Sequence, residues 1–138
     1  MAVVDLDDRD CFQFKQELVS VLNQCHPRPN VLFRIAIEEI EAWFLGDPVA
    51  LKKAYPRAKG SVLNTYDQDS ICGTWEKMAD AVYPGGSAKL KLLGYPLIGE
   101  VKSEWAEKIS PLIDIDHNRS KSFRVFCKGV RKLAGIIT

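Results

Sequence analysis

Long apolar runs are missing from this chain of 138 residues. None approaches the roughly 20 apolar residues that a helix needs to cross a bilayer, so we expect no membrane-spanning segment. The first residues also lack the basic segment and the long apolar stretch of a secretion signal. We therefore expect a cytoplasmic protein. The length of the chain predicts a single domain over residues 1–138.

Clusters of metal-binding or disulfide-forming side chains are missing as well. The four cysteines are scattered and form no C-x-x-C pair: Cys11, Cys25, Cys72 and Cys127. A domain of this size does not depend on disulfides, so we expect reduced, half-buried thiols. His26 and His117 stand far apart in the sequence. This spacing argues against a zinc site, whose ligands come in close pairs.

Acidic residues are missing from the last part of the chain. Residues 117–138 carry six basic side chains and no acidic one, whereas residues 1–50 carry nine acidic and four basic ones. An acidic cluster is suited to hold a metal ion, and a basic face is suited to hold phosphates. The alternative is that both regions are solvated faces that merely attract each other.

The hydrophobic pattern of the first part predicts the order strand, helix, strand, helix. Residues 2–6 and 31–37 are rich in β-branched and apolar side chains, which is typical of strands. Residues 11–24 have apolar side chains at helical spacing, with Asp10 as the N-cap. Residues 38–45 have the composition of a short helix. This order favours parallel strands joined by a crossover helix, which indicates an α/β domain with a small, mostly parallel sheet.

Helices dominate the prediction for the remainder. Helices are expected over residues 49–55, 74–83 and 99–110, and mostly loop over 57–73. The clearest element is the last helix, which begins near Asn118 or Ser120. Its predicted core stripe contains Phe123, Phe126, Val130 and Leu133, and the opposite basic stripe contains Lys121, Arg124, Lys128 and Arg131. We expect the first stripe to be buried and the second to face solvent.

The stretch "VVDLDDRDC" at residues 3–11 concentrates negative charge behind the first strand. Side chains alternate along a strand, so Asp5 and Asp7 are expected on one side. Ligands of α/β sheets bind beyond the carboxyl ends of parallel strands. Mg²⁺ prefers one or two carboxylates together with water and phosphate oxygens. The alternative is a solvated turn in which Asp8 and Asp10 cap the helix.

Three stretches together carry a resemblance: "VVDLDDRDC", "RIAIEEIEAWFLGDP" and "IDHNRSKSFRVFCKGVRKL". In this order they resemble a mostly bacterial family of Toprim-like proteins of unknown function, related to the Toprim domain of overcoming-lysogeny-type nucleases. The resemblance covers most of the chain and is weakest over residues 57–90. It implies a helix-rich, three-layer, Rossmann-like fold. In Toprim domains a glutamate and a D-x-D pair hold Mg²⁺ for phosphoryl transfer on nucleic acid.

The resemblance assigns Mg²⁺ or Mn²⁺ to Asp5 and Asp7, with Asp10 as a third ligand or a helix cap. It also implies that the first strand and helix, which carry the Toprim glutamate, are missing, since the chain begins at the D-x-D strand. Glu39 and Glu41 are then the candidates to supply the catalytic carboxylate. Read without the family, both are charged residues on the outer face of a short helix.

The residues expected to hold phosphates are the exposed cations near the last helix: Arg119, Lys121, Arg124 and Lys128. The leading function is therefore Mg²⁺-dependent binding or cleavage of a phosphodiester in nucleic acid, with DNA, RNA and small phosphates all open as substrates. The alternative is a non-catalytic interaction module. In that case a partner protein or a second copy covers an unpaired edge of the sheet.

Overall fold

The computed structural model describes residues 1–70 and 73–136 and contains a two-stranded parallel sheet. Strand β1 (Ala2–Asp5) lies beside β2 (Phe33–Ala36), with the first residues of the two strands opposite each other. Helix α1 (Cys11–Asn23) connects them. The predicted strand, helix, strand order with parallel pairing is thus confirmed, although both strands are shorter than expected.

Helix α1 begins where the sequence indicated. The Asp10 carboxylate accepts hydrogen bonds from the amides of Phe12 and Gln13, at 3.0 and 2.9 Å, and so caps the helix. Phe14 and Leu22 lie on its buried face. An N-cap of this kind satisfies backbone donors that the first helical turn leaves free.

Seven further α-helices follow in the described part of the chain. They are α2 (Glu41–Leu45), α3 (Pro48–Ala54), α4 (Gly60–Asn64), α5 (Thr74–Val82), α6 (Gly86–Leu93), α7 (Leu97–Ile109) and α8 (Lys121–Leu133), with a 3-10 turn (Ser110–Leu112) between the last two. Helix α4 lies in a segment predicted as mostly loop, so that prediction is wrong in part. No helix among the described residues is long and apolar enough to cross a membrane. These helices together with the two-stranded parallel sheet make the structure a helix-rich α/β fold.

Among the described residues, two apolar clusters join most of the helices and β2. The larger one contains Leu51, Met78, Leu90 and Trp105 and is built mainly from α3, α5, α6 and α7. The smaller one joins β2, α2 and α8, and its buried members are Ala36, Ala42, Trp43, Phe123 and Cys127. Trp43 is therefore a core residue, with 7% of its surface exposed.

The burial of the thiols only partly follows the prediction. Cys11 is half-buried, Cys25 is exposed and Cys127 is buried, and all three are free thiols. Cys72 lies outside the described residues.

Helix α8 is longer than the sheet face that it covers. Its 13 residues span about 20 Å, whereas the four residues of β2 span about 13 Å. Phe123 is only 6% exposed, but Val130 and Leu133 are 43% and 59% exposed. The prediction of a buried stripe is therefore wrong for Val130 and Leu133, whereas Gly129 in the same half of the helix is buried against the Arg34 side chain of β2.

Buried polar contacts join the turn before α8 to the end of α2. The Asn118 side chain, 1% exposed, donates a hydrogen bond to the Trp43 carbonyl and accepts one from the Ser120 amide, both at 2.8 Å. The Arg119 amide donates to the Gly46 carbonyl at 2.9 Å. A Cβ on Gly46 would lie 2.2 Å from Asn118 Oδ1, so only glycine fits there. The "GDP" and "NRS" stretches thus form one structural junction.

Candidate functional site

The candidate site lies at the carboxyl end of β1, where the strand stops at Asp5. One oxygen of this half-buried side chain, Oδ1, is buried and has no hydrogen-bond partner among the described residues. Burial, then the charge of Glu39 and to a smaller extent that of Asp7 raise the pKa of Asp5 above its ordinary value. The positive charge of Lys102 and a hydrogen bond from the Ile40 backbone oppose the shift without cancelling it. Asp5 is therefore a carboxylate that lacks a sufficient counter-charge.

Glu39 and Glu41 share one lysine. Lys102 of α7 places its Nζ 3.1 Å from a Glu39 oxygen and 3.2 Å from a Glu41 oxygen. Glu41 is only 4% exposed, and burial raises its pKa even though Lys102 opposes the shift. Burial alone would lower the pKa of Lys102, but the charges of Glu41 and Glu39 outweigh it and raise the value. The ammonium group of Lys102 therefore already neutralises part of the negative charge of Glu39 and Glu41.

Glu38 has a structural task that the sequence did not reveal. Its two carboxylate oxygens accept hydrogen bonds from the amides of Gly73 and Thr74, at 2.6 and 2.7 Å, and so cap α5. Glu38 has a φ of +57°, and α2 begins only at Glu41. The predicted helix over residues 38–45 is therefore wrong at its start. Glu39 precedes α2, where it also accepts a bond from the Thr74 hydroxyl.

Asp7 lies in a turn beyond the strand, with a φ of +53°. The alternation that predicted Asp5 and Asp7 on one side therefore stops at Asp5. The Asp7 carboxylate is 3.7 Å from the Arg9 guanidinium and largely exposed. It lines an acidic cavity of about 260 Å³ whose other lining residues are Asp8, Glu38, Glu39, Gly73, Trp75 and Glu76. This cavity collects carboxylates from the turn after β1, from the turn after β2 and from α5, and Asp5 is not among its lining residues.

The predicted metal ligands are only partly brought together. Asp5, Asp7 and Glu39 are electrostatically coupled at one end of the sheet, whereas Asp10 caps α1 and only that alternative has structural support. Within residues 1–70 and 73–136, no three acidic, cysteine or histidine side chains converge as a metal-binding group. The unpartnered oxygen of Asp5 fits a hard cation, since Mg²⁺ binds carboxylate oxygens. The metal site stays a prediction.

The predicted phosphate-binding residues are all exposed. Lys121, Arg124 and Lys128 lie on the outer side of α8, but Val125 lies among them with 46% exposure, so this side is not uniformly basic. Arg131 pairs with Asp116. Arg119 instead precedes the helix and lines a separate cavity of about 260 Å³ beside α3. Three of the four cations therefore share a face.

The acidic cluster and the beginning of α8 lie at the same end of the sheet. Phe123 in the first turn of α8 packs in the cluster that contains Ala36. Ala36 pairs with Asp5 across the sheet. A ligand bound at the carboxyl end of β1 therefore lies at the end of the sheet where α8 begins.

Sequence reasoning missed Asp69, which organises the start of α8. Its carboxylate accepts hydrogen bonds from the Ser120 hydroxyl and the Lys121 amide, both at 2.7 Å, and from the Ser122 amide at 3.3 Å. The sequence allows Ser120 or Ser122 as the N-cap of this helix, and in the structure it is Ser120, whose hydroxyl accepts a hydrogen bond from the Phe123 amide. A lone aspartate in a weakly patterned segment carries no sequence signal for such a distant contact.

Comparisons of the chain with protein-family models, with curated proteins and with solved structures found no match.

Proposed function

We propose that this chain binds Mg²⁺ or Mn²⁺ at the carboxyl end of its parallel sheet and, with the ion, the phosphodiester backbone of nucleic acid. The observation that carries the proposal is the partly buried Asp5, whose Oδ1 has no partner among the described residues while Glu39 and Asp7 add negative charge. A divalent cation relieves both the burial and the repulsion. The assignment of the metal role to Asp5 and Asp7 rests in addition on the Toprim-like resemblance of the sequence.

Each acidic residue has a separate role in this proposal. Asp5 and Asp7 hold the ion. Glu39 is the better placed of the two glutamates to assist, as a ligand or as a proton acceptor in cleavage, because it lines the acidic cavity whereas Glu41 is 4% exposed. Lys102 must release Glu39 before Glu39 acts, since its ammonium group lies 3.1 Å from that carboxylate.

Lys121, Arg124 and Lys128 hold phosphates near the ion, whereas Arg119, which lines the separate cavity beside α3, is a fourth contact away from their shared face. Such contacts position a nucleic acid without reading its sequence. We therefore expect binding to be insensitive to sequence and strongly dependent on salt.

The first test concerns the ion. Millimolar Mg²⁺ or Mn²⁺ should raise the midpoint of thermal unfolding, because a ligand that binds only the folded state stabilises it. Replacing both ligands, Asp5→Asn with Asp7→Asn, should abolish this shift and slightly stabilise the metal-free protein by removing repulsion. Differential scanning fluorimetry with EDTA as the reference measures both effects. A midpoint that is indifferent to both ions would disprove the metal site.

The second test concerns the cations of α8. Replacing Lys121, Arg124 and Lys128 together by Gln should leave the free energy of unfolding nearly unchanged, because exposed charges contribute little to folding. The same variant should bind nucleic acid more weakly, and the slope of log affinity against log salt should fall by up to about 0.9 for each duplex phosphate that the variant no longer binds. Fluorescence anisotropy with single- and double-stranded DNA and RNA measures this slope. An unchanged slope contradicts the proposal.

A non-catalytic interaction module is the second candidate. One observation favours it: the outer edge of β1 is open, because the described part of the chain has no third strand. Open strand edges invite pairing with another chain. Absence of both the metal shift and nucleic-acid binding would favour this candidate over the first.

A further inference from the structure

The outer edge of β2 carries backbone groups that face away from β1. In a parallel pair the peptide groups of successive residues point to alternate sides. The carbonyls of Leu32 and Ala36 accept hydrogen bonds from the amides of Ala2 and Leu6, at 3.0 and 3.1 Å. Residues of even number in this stretch therefore face β1, and the N–H and C=O of Ile35 point outward.

Two neighbours of Ile35 are partly occupied within the chain. The Phe33 carbonyl accepts a bond from its neighbour Arg34 at 2.8 Å, and the Ile37 carbonyl accepts one from the Glu39 amide at 2.9 Å. Among the described residues, neither the N–H nor the C=O of Ile35 has a partner on the outer side. A strand placed there would find one donor and one acceptor at the centre of the edge.

This edge is the floor of a groove of about 370 Å³ between two helices. Helix α1 contributes Cys11 and Lys15 to one wall, and α8 contributes Lys121, Ser122 and Val125 to the other. The strand contributes Phe33, Arg34 and Ile35, with Ile37 just beyond its end. The groove therefore has a mostly apolar floor along an open strand edge.

The two walls each carry an exposed lysine. Lys15 and Lys121 form no ion pair with any described residue. The acidic residue of the groove, Asp69, is already engaged by the first amides of α8. The Arg34 side chain is likewise held, by the carbonyls of Phe33 and Val125. The charge left for a ligand is therefore positive on both sides.

We propose that this groove binds an extended polypeptide segment of alternating apolar and acidic residues, which adds to β2 as a third strand. Apolar side chains would cover the floor, carboxylates would meet Lys15 and Lys121, and the backbone would pair with Ile35. Phosphates offer only acceptors and leave the Ile35 carbonyl unpaired. A second copy paired symmetrically at this edge would bring the lysines of both copies together.

The binding test uses a fluorescein-labelled peptide of seven residues that alternates valine and glutamate, measured by anisotropy at low salt with EDTA present. We expect it to bind about tenfold or more tightly than the same peptide with lysine in place of glutamate. The amides of the bound peptide form two alternate sets, and one of these sets faces β2. N-methylation of the set that faces β2 should weaken binding by about tenfold. EDTA makes the result independent of the proposed metal site.

Variants of the protein locate the site. Ile35→Pro removes the outward N–H without removing a bond to β1 and should weaken the acidic peptide about tenfold. Lys15→Glu with Lys121→Glu should weaken it at least as much, whereas the matched control Lys52→Glu with Lys132→Glu, at exposed residues outside the groove, should change binding less than about twofold. In the wild type, the peptide should slow hydrogen exchange of the Ile35 amide.

Three results would overturn this proposal. The first is equal binding of the acidic and lysine peptides, or no binding of either. The second is hydrogen exchange of the Ile35 amide that the bound peptide leaves unchanged. This measurement uses the wild type and therefore stays informative if the Ile35→Pro variant fails to fold. The third is a dimer in sedimentation that Ile35→Pro abolishes while the peptide does not bind, because the occupant would then be a second copy.

Discussion

Phe123→Ala should lower the free energy of unfolding by about 3–5 kcal/mol, because it removes a large buried side chain and leaves a cavity. Phe123 is 6% exposed and lies 5.4 Å from the Trp43 ring between their centroids. It is the residue through which the first turn of α8 joins β2 and α2. Urea unfolding followed by tryptophan fluorescence measures the loss.

Phe126→Ala is the matched comparison. This ring also stacks on Trp43, with centroids 4.9 Å apart, but it is only partly buried. We expect a smaller loss of about 1–2 kcal/mol. Val125→Ala, at an exposed position of the same helix, should change stability little. Equal losses for Phe123→Ala and Phe126→Ala would contradict the observed depth of the two rings.

Lys102→Met should lower the free energy of unfolding by about 2–4 kcal/mol at pH 7. The substitution leaves Glu41 and Glu39 without their shared counter-charge, and removing one partner of a buried ion pair is strongly destabilising. The expected loss is below that of a fully enclosed pair, because 27% of the Lys102 side chain is exposed. The control is Lys108→Met on the same helix, whose pair with Glu104 is exposed and contributes little.

The effect of Lys102→Met should depend on pH. The pKa of Glu41 is already raised by burial and should rise further without Lys102. The folded state then binds this proton more tightly than the unfolded state, so stability is gained as pH falls through the raised pKa and is lost as pH rises through it. The deficit should therefore narrow in acid. Added Mg²⁺ should stabilise this variant more than the wild type, and a deficit no larger than that of Lys108→Met would contradict the shared ion pair.

Local signals made the beginning of the fold predictable. The β-branched residues before Asp5 and the position of Asp10 relative to the apolar residues of α1 are sufficient to place a strand and a helix start. Ser120 is a similar case, since a serine before an amphipathic stretch indicates an N-cap. These features depend on residues that are neighbours in sequence, and the structure confirms them.

Distant contacts decide the features that the sequence did not show. The sequence around Glu38 is typical of the start of a helix, yet Glu38 is not helical. Its carboxylate instead caps α5 by accepting hydrogen bonds from residues 35 and 36 positions later. Lys102 reaches Glu39 across 63 positions. No periodicity reports such a pairing. The carboxylates near the carboxyl end of β1 were therefore predictable. Their partial neutralisation by Lys102 of α7 was not.

The remaining error concerns the second half of the apolar stripe of α8. The spacing of Phe123, Phe126, Val130 and Leu133 indicates one apolar side, and burial requires an element opposite each residue. Val130 and Leu133 are nevertheless exposed, although their neighbour Gly129 is buried against the Arg34 side chain of β2. A periodic pattern predicts which side of a helix is apolar, but the extent of its neighbours decides how much of that side is covered.

The junction between Trp43 and the segment before α8 also has a consequence for the order of folding. The bonds from Asn118 and to Ser122 link Trp43 with residues 75 and 79 positions later. Closing so long a loop costs entropy before the contacts form, so this step should limit the folding rate. During synthesis at about 5–20 residues per second, Trp43 waits roughly 5–20 s for Leu133 to be made. For that interval we expect the nascent chain to present an uncovered tryptophan and an uncovered sheet face, and such transiently exposed apolar surface favours aggregation.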